Sequence, residues 1–479
     1  MILDHLKASR SVHVVGISGS EGAAIALALA KQGIRFTAHD FSDQARFKRN
    51  FFANNFGIER KKREKMFKEL EKFEDQIKFK NDYLKGISKA DLIFVSQNWE
   101  AYEANDKLKP IFKKNPAKFA IITQLYFQLF PGKIIAITGT NGKSTTAKLI
   151  SEIMQASRQK SWFTGNDRRN VQILDCLDKW TQDDWLVIEV SNRQLKFPLS
   201  QAPEIGVITN VTNNHLDEYG GSFRKYKAGK YSLIKNQDQS KIAILNQDNP
   251  ATRQFSGQVK GTPLPYSTKQ KLQKGVYIDG DWIVHRDKTS TKILPVGKIC
   301  LLGEHNLSNV LAAIAAARLS GVDWPTIRKV VSRFRGIPQR LELIATKAGV
   351  NFINDTSSTS PDSAIAAISS FATGSIHLIA GGDPKGLDFA PLAREIKRRK
   401  VRVVILKSPV ELILGRELRR LGIDFVSVKN LQEAVKISAK NAQRGESVLL
   451  SPGAAWFCHF RGKIPLGGRG FAQFVKSLA

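Results

Sequence analysis

The run Ile135-Ala136-Ile137-Thr138-Gly139-Thr140-Asn141-Gly142-Lys143-Ser144-Thr145-Thr146 constrains the fold of this chain more than any other. An apolar stretch leads into a tight turn with two glycines, and helix-compatible residues follow. That order predicts a buried strand over Lys133–Thr138 and a helix from Ser144 to about Gln155. A strand ending in such a turn gathers backbone N–H groups at a helix N-terminus, where the dipole favours anions. Lys143 suits the β/γ-phosphates of a nucleotide, and Ser144 or Thr145 can offer a hydroxyl to Mg²⁺. The loop is shorter than the usual G-x-x-x-x-G-K-[ST], because position 137 is Ile rather than Gly.

The rest of the chain alternates strand-like and helix-like segments. Val12–Val15 meets the turn Gly16-Ile17-Ser18-Gly19-Ser20-Glu21-Gly22, then a helix from Ala23 to Gln32 and a strand through Arg35–Asp40. The G-x-x-G-x-x-G spacing is not the dinucleotide fingerprint, and it fits an anion-binding turn or a plain strand–helix connection. Further strands are expected at Asp91–Ser96, Trp185–Val190, Ile205–Thr209 and Lys241–Leu245, with an alanine-rich helix over Leu307–Leu319. Val350–Asn354, Ile376–Ala380, Val401–Leu406 and Ser447–Leu450 predict a last set. The pattern is that of an α/β protein with largely parallel sheets. Three domains are expected: Rossmann-like over residues 1–130, P-loop ATPase-like over 131–335, and Rossmann-like over 336–479. Residues 50–85 carry mixed charges at helical spacing, with Met66, Phe67, Leu70 and Phe73 available to seat that helix.

Composition narrows the function classes. No stretch approaches ~20 apolar residues, so no membrane span is expected. The N-terminus lacks the basic-then-apolar order of a secretory signal. Cys176, Cys300 and Cys458 are far apart and fit no metal spacing, which reads as a reduced, cytoplasmic protein. Lys and Arg number 74 against 43 Asp and Glu, a net charge of +31. That excess fits nucleic-acid or membrane-surface binding, or attraction of phosphorylated substrates. It is spread along the chain with no nucleic-acid signature, so no obligatory nucleic-acid partner is expected.

The short loop Gly139-Thr140-Asn141-Gly142-Lys143-Ser144-Thr145 resembles the ATP loop of the Mur ligases, and other segments follow in the family's order. Gly165-Asn166 is similar to a substrate-contacting Gly-Asn. Glu189-Val190-Ser191-Asn192-Arg193-Gln194-Leu195 resembles E-[LV]-S-S-x-Q-L, and Asn210-Val211-Thr212-Asn213-Asn214-His215-Leu216-Asp217 resembles N-[IV]-x-x-D-H-L-D. Lys230 stands where the family has a carbamylated lysine. Asn246-Gln247-Asp248, Gly303-Glu304-His305-Asn306-Leu307-Ser308-Asn309 and Gly336-Ile337-Pro338-Gln339-Arg340-Leu341-Glu342 continue the match. Asn354-Asp355-Thr356-Ser357-Ser358-Thr359, Gly381-Gly382-Asp383-Pro384-Lys385-Gly386 and Leu449-Leu450-Ser451-Pro452-Gly453 resemble the D-glutamate-adding branch.

The resemblance implies an ATP-dependent amide ligase of peptidoglycan precursor synthesis, using ATP and Mg²⁺. Its substrates would be a UDP-linked muramoyl peptide precursor and an amino acid, and a monomer is expected. By resemblance, Gly139 to Thr145 hold the triphosphate, with Asn309, Arg340 and Asp355 on the base and ribose side. Ser144, Glu189, His215 and Lys230 would hold Mg²⁺, with Lys143, His215 and Lys230 catalytic. Ser18, Gly19, Asp40, Asn166, Ser191 and Gln194 would contact the UDP-sugar substrate, and Thr359 and Lys385 the amino acid. Read without the resemblance, Lys230 is an exposed cation on a helix. Four positions depart from the pattern: Asn214 for Asp, Gln339 for His, Ser357 for Lys and Trp456 for a small hydroxyl residue. The last two bear on the amino-acid pocket, where Lys385 and Arg461 or Lys463 could supply charge instead.

Overall fold

The computed structural model describes residues 6, 9–55, 57–166, 171–212, 216–301, 303–384, 387–454 and 468–478. Three sheets form, one for each expected α/β unit. The first is wholly parallel, in the order β3-β2-β1-β4-β5: β1 (Val12–Val15), β2 (Thr37–Asp40), β3 (Ile77–Phe79), β4 (Leu92–Phe94) and β5 (Phe119–Ala120). The helix Ser20–Lys31 follows β1, starting three residues earlier than its apolar pattern suggests. It can start there because the turn before it is unusually tight. Gly16 has φ +78°, Gly19 N donates to Gly16 O at 2.9 Å, and a methyl on Gly22 would lie 2.4 Å from Gly16 O.

The charged helix Arg60–Glu71 packs as its apolar positions predict. Phe67 meets Phe47, Phe51 and Phe52 with ring centroids 5.5, 5.3 and 5.8 Å apart. Its opposite face is solvated, with Arg60 and Glu64 paired at 2.9 Å.

The second sheet has nine strands in the order β14-β13-β12-β11-β10-β9-β6-β8-β7. Its strands are β6 (Lys133–Thr138), β7 (Ser161–Gly165), β8 (Trp185–Glu189), β9 (Ile205–Ile208), β10 (Ile242–Asn246), β11 (Thr262–Ser267), β12 (Gly275–Asp279), β13 (Trp282–Arg286) and β14 (Ser290–Pro295). All neighbours are parallel except β12/β13 and β13/β14. Expectation stopped at the buried strand before β11. The segments beyond it alternate polar and apolar and carry less of the continuous apolar signal of a sheet covered on both faces.

The third sheet runs β15-β16-β20-β17-β18-β19, from β15 (Glu342–Lys347), β16 (Val350–Asn354), β17 (Ile376–Ala380), β18 (Arg402–Leu406), β19 (Phe425–Val428) and β20 (Ser447–Leu450). Only β15/β16 is antiparallel. Apolar clusters cover both faces of this sheet.

Compactness groups the first two sheets together. The chain forms two compact units, Met1–Lys298 with Ser308–Val331, and Ile299–Leu307 with Ser332–Ala479. The first two sheets do not separate near residue 130 because one apolar core joins them. Phe127, Phe130 and Trp180 belong to the same cluster as Ile25 and Leu29 of the first helix. The second unit takes nine residues from upstream of its main stretch, so the chain passes between the units three times.

The turn at Gly22 is testable. A methyl 2.4 Å from a carbonyl oxygen forces backbone movement, so Gly22→Ala should lose about 1–3 kcal/mol of stability in urea unfolding. A change below a few tenths would mean that the turn relaxes freely.

Candidate active site

The strand ends of the second sheet build the phosphate loop. Register places Thr138 of β6 opposite Ile208 of β9, and Ile137 opposite Glu189 of β8. The loop 139–142 therefore passes over the carboxyl ends of both neighbours, where α/β sheets place ligands. The close approach requires glycine twice. At Gly139 (φ +150°) a methyl would lie 2.0 Å from Thr209 Oγ1, and at Gly142 (φ +83°) 2.0 Å from Asn309 Oδ1.

Asn210 then holds the loop. Thr140 N donates to Asn210 O at 2.8 Å, Asn141 N to Asn210 Oδ1 at 3.0 Å, and Asn210 Nδ2 to Asn141 O at 3.1 Å. Thr209 Oγ1 donates to the same Asn141 carbonyl at 2.6 Å. Two N–H groups expected to face phosphate, those of Thr140 and Asn141, are thus used to shape the loop. The anion-binding donors fall to the first turn of the helix Lys143–Ala156, whose N–H groups lack helical partners. Half-buried Lys143 folds back, its Nζ donating to Thr140 O at 2.9 Å.

Behind the loop lies Lys230, on the helix Phe223–Tyr231. It is not an exposed cation: 1% of it is accessible. Its Nζ donates to Thr138 Oγ1 at 3.2 Å, and that hydroxyl donates to Val190 O at 2.7 Å. Burial, reinforced by the Lys143 charge, pushes its pKa well below the ordinary lysine value, against the pull of Glu189 and Glu218. Desolvation favours the neutral form of such an amine.

Glu189 ends β8 and is buried, and its Oε2 has no hydrogen-bond partner among the described residues. Gly165 makes room for it, since a methyl there would lie 2.6 Å from Glu189 Cβ. An unsatisfied buried carboxylate oxygen costs free energy unless a cation or donor meets it. With the Ser144 hydroxyl also buried near the loop, these oxygens suit a hard cation that keeps several waters. Among the described residues, no three His, Cys, Asp or Glu side chains gather as a complete metal cluster. His215 and Asn214 lie outside the described residues.

A cavity of about 750 Å³ extends from the turn of the first sheet to Lys143, Gly165 and Asn166. Ser18 and Gly19 line it. Asp40 takes a different part. It is 0% exposed, and its carboxylate accepts from Ser18 N at 2.9 Å, Ser42 N at 3.0 Å and Ser42 Oγ at 2.6 Å. With its oxygens engaged, it fixes the turn. The next residue, Phe41, is 49% exposed at the cavity wall, and Tyr102 is 42% exposed beside it. Their ring centroids are 5.9 Å apart at 31°, an open aromatic surface suited to a planar ring. Asn166 is half-buried at the other end.

Ser191 also lines the cavity, with its hydroxyl donating to Gln97 Oε1 at 2.7 Å. Gln194 is buried, and its Oε1 accepts from Ser191 N at 2.7 Å. Gln194 therefore supports the loop after β8 and does not reach into the cavity, whose wall it does not form.

Asn309 is buried in the first unit against the phosphate loop. Arg340 and Asp355 belong to the second. Asp355 is buried, accepting from Ser358 Oγ at 2.5 Å, Ser451 Oγ at 2.8 Å and Leu341 N at 3.2 Å. Burial pushes its pKa up to about 6 despite those bonds and the nearby Arg340 charge. It anchors the turn that presents exposed Arg340. Gln339 and Leu341 on either side of Arg340 adopt φ +67° and +44°, a left-handed backbone that costs about 1–3 kcal/mol for each such residue. Thr359 is exposed, Ser357 is half-buried, and Lys385, Trp456, Arg461 and Lys463 lie outside the described residues.

Sequence reasoning missed Phe41, Tyr102, Gln97 and the Asn210 clamp. Phe41 and Gln97 follow the ends of β2 and β4, and that position alone could have marked them, since ligands gather at the carboxyl ends of parallel strands. Glu21 stands within the Gly16–Gly22 turn, whose glycines carry the stronger sequence signal.

Comparison with known proteins agrees with this geometry. The Mur ligase middle domain matches residues 137–317, and the Mur ligase, glutamate ligase domain matches residues 339–453. The UDP-N-acetylmuramoylalanine--D-glutamate ligase of Koribacter versatilis is 36% identical over 357 residues, covering 74% of this chain and 77% of that protein. The crystal structure of UDP-N-acetylmuramate-alanine ligase from Thermotoga maritima has a TM-score of 0.56 at 17% identity, covering 97% of this chain and 98% of the other. The MurF ligase from the same organism, in complex with ADP, has a TM-score of 0.52 at 17% identity, covering 76% and 87%. The phosphate loop, the buried lysine and the relative sharing over a third of its aligned residues lead to one conclusion: this chain belongs to the Mur ligase family.

Proposed function

We propose that this ATP-dependent ligase adds D-glutamate to UDP-N-acetylmuramoyl-L-alanine. The observation that carries the reading is the cavity running from an aromatic-walled turn of the first sheet to Lys143 of the phosphate loop. Such a cavity suits one long substrate with a nucleotide at one end and a carboxylate at the other. The relative's name supplies the identity of both partners.

Joining an amine to a carboxylate in water requires activation. ATP can phosphorylate the carboxylate, and the amine then displaces phosphate from the acyl phosphate, forming the amide. Charge accumulates on phosphate oxygens, so donors and cations carry most of the stabilisation. The first turn of the helix Lys143–Ala156 and the Lys143 ammonium would hold the triphosphate, with Lys143 released from Thr140 O. Asn309 packs against Gly142 and keeps the loop in shape.

Lys230 would act as a carbamate. Its neutral amine adds to CO₂, forming an N–C bond and releasing one proton, and the product is an anion with two oxygens. That conversion places an anion beside the Lys143 charge, which opposes an ammonium at Lys230. Ser144, Glu189, His215 and the modified Lys230 would hold Mg²⁺, which when bound supplies charge neutralisation at the transferring phosphoryl group.

In the first sheet, the N–H groups where the Gly16–Ser20 turn enters the helix Ser20–Lys31 would meet the diphosphate, and Phe41 with Tyr102 would stack on the uracil. Arg340 would meet the nucleotide of ATP, and Thr359 and Lys385 the carboxylates of the amino acid. Ser357 in place of a lysine removes one cation from that pocket, so the amino acid itself is the point to test.

The direct assay incubates the protein with ATP, Mg²⁺, UDP-N-acetylmuramoyl-L-alanine and a panel of amino acids, and follows phosphate release. Release with D-glutamate well above the others is expected; release with another amino acid alone would reassign the pocket. Lys230→Ala should lower kcat by about 10²-fold or more, with partial recovery in high bicarbonate or short carboxylic acids. Full activity of that variant would remove Lys230 from the centre. Phe41→Ala should weaken UDP binding in calorimetry by about tenfold, the worth of one stacked base. Unchanged affinity would place the base elsewhere.

A further inference from the structure

A buried carboxylate in the cavity wall has no part in the scheme above. Glu21 is the second residue of the helix Ser20–Lys31, beside the turn that would hold the diphosphate. It is buried, and none of the described Lys, Arg or His side chains forms an ion pair with it. Its two oxygens each accept one bond from Gln97, from Gln97 N and from Gln97 Nε2, both at 3.0 Å. The amide oxygen of Gln97 then accepts from Ser191 Oγ at 2.7 Å. Ser191 Oγ in turn accepts from Gln194 N at 3.2 Å.

The direction of every bond in this series follows from Glu21. A carboxylate only accepts, so the amide nitrogen of Gln97 must face it and the amide oxygen must face Ser191. The Ser191 hydroxyl must then donate to Gln97. The series crosses from the first sheet to the second. Glu21 and Gln97 follow β1 and β4, while Ser191 lies two residues beyond Glu189 at the end of β8. Glu21, Gln97 and Ser191 all line the cavity, as do Phe41, Tyr102 and Lys143.

We propose that Glu21, Gln97 and Ser191 are positioning residues that fix the separation between the nucleotide seat and the centre where the carboxylate is activated. The proposal rests on the reading that a nucleotide-linked carboxylate fills the cavity. A substrate anchored at one end by its diphosphate presents its other end productively only if the two halves of the wall keep a fixed register. Misplacement by about 1 Å costs on the order of 10²-fold in rate. A glutamine at position 21 would turn an NH₂ group towards one of the Gln97 donors, break one bond and free the Gln97 amide to rotate. The link to Ser191 would then lose its fixed direction, while the glycine turn would remain.

The test compares Glu21→Gln, Gln97→Glu and the double exchange Glu21→Gln/Gln97→Glu. The exchange keeps one carboxylate and the same set of donors and acceptors: Gln at 21 donates to Glu at 97, and Ser191 still finds an acceptor. UDP, which fills only the nucleotide end, is titrated by calorimetry. The steady-state rate is measured with the full acceptor and whichever amino acid wild-type protein uses. Glu21→Gln should bind UDP within about twofold of wild type while kcat falls by about 10- to 100-fold, and the double exchange should recover most of that loss.

An unchanged kcat in Glu21→Gln would overturn the proposal. So would a parallel loss of UDP affinity, which would make Glu21 part of the nucleotide seat, or a loss that the double exchange leaves unrepaired. Ser191→Ala breaks the series from the other end without touching Glu21, and it should reproduce the split between kcat and UDP affinity. That variant decides the matter if substitution at 21 prevents folding. Failure of wild-type protein to release phosphate with any amino acid would instead overturn the reading of the reaction, and UDP titration would still report on the seat.

Discussion

The clamp of Asn210 on the phosphate loop is the interaction on which the rest of the centre depends. A loop between two glycines has many accessible conformations, and only a few gather its donors. Backbone and side chain of Asn210 engage both faces of the Thr140–Asn141 segment, and Thr209 adds a bond to the same carbonyl. The conformational cost of ordering the loop is met within the folded chain, before any nucleotide arrives. The sheet makes this possible. Because β6 lies between β8 and β9, Thr209 and Asn210, one and two residues past β9, reach the loop while Glu189 at the end of β8 supplies the acid.

The same arrangement sets the electrostatics. Thr138 closes β6, and its hydroxyl ties Val190 to the Lys230 amine. A lysine in that position has two influences against its charged form, burial and the Lys143 charge, and both lower its pKa. Beside it, Glu189 keeps one oxygen without a partner. Two groups, each costly alone, thus face a common space, as expected where a cation or an anionic modification completes the set. The chain's +31 charge is a separate matter. It acts at long range and adds attraction for substrates that carry several phosphates.

How much of this was legible depended on whether a residue's task is local. The strand–glycine–helix order around Gly139 is local chemistry, and it emerged as read. So did the charged helix seated by Phe67, because an apolar stripe needs no distant partner to declare itself. Lys230 was legible only through resemblance, since its burial is made by residues far away in sequence. Asp40 and Asp355, expected at ligand contacts, also hold their own turns through serine hydroxyls and backbone N–H groups, which the sequence did not show. A carboxylate in a conspicuous turn looks the same in sequence whether it holds a ligand or the turn itself. The joint core of the first two sheets was likewise hidden, because the contacts of Phe127 and Trp180 with the first helix's cluster join residues over a hundred positions apart.

The threefold passage of the chain between its two units bears on how such proteins can be recombined. A single crossover near residue 336 looks natural, since a new α/β segment begins there. It would leave Ile299–Leu307 behind, and with them part of the second unit as it folds. A chimaera made at that point would join a second unit from one parent to a nine-residue piece from another. The two parents' sequences must therefore be compatible at that small patch before the exchanged unit can fold, and a graft intended to exchange amino-acid preference should carry the upstream piece with it.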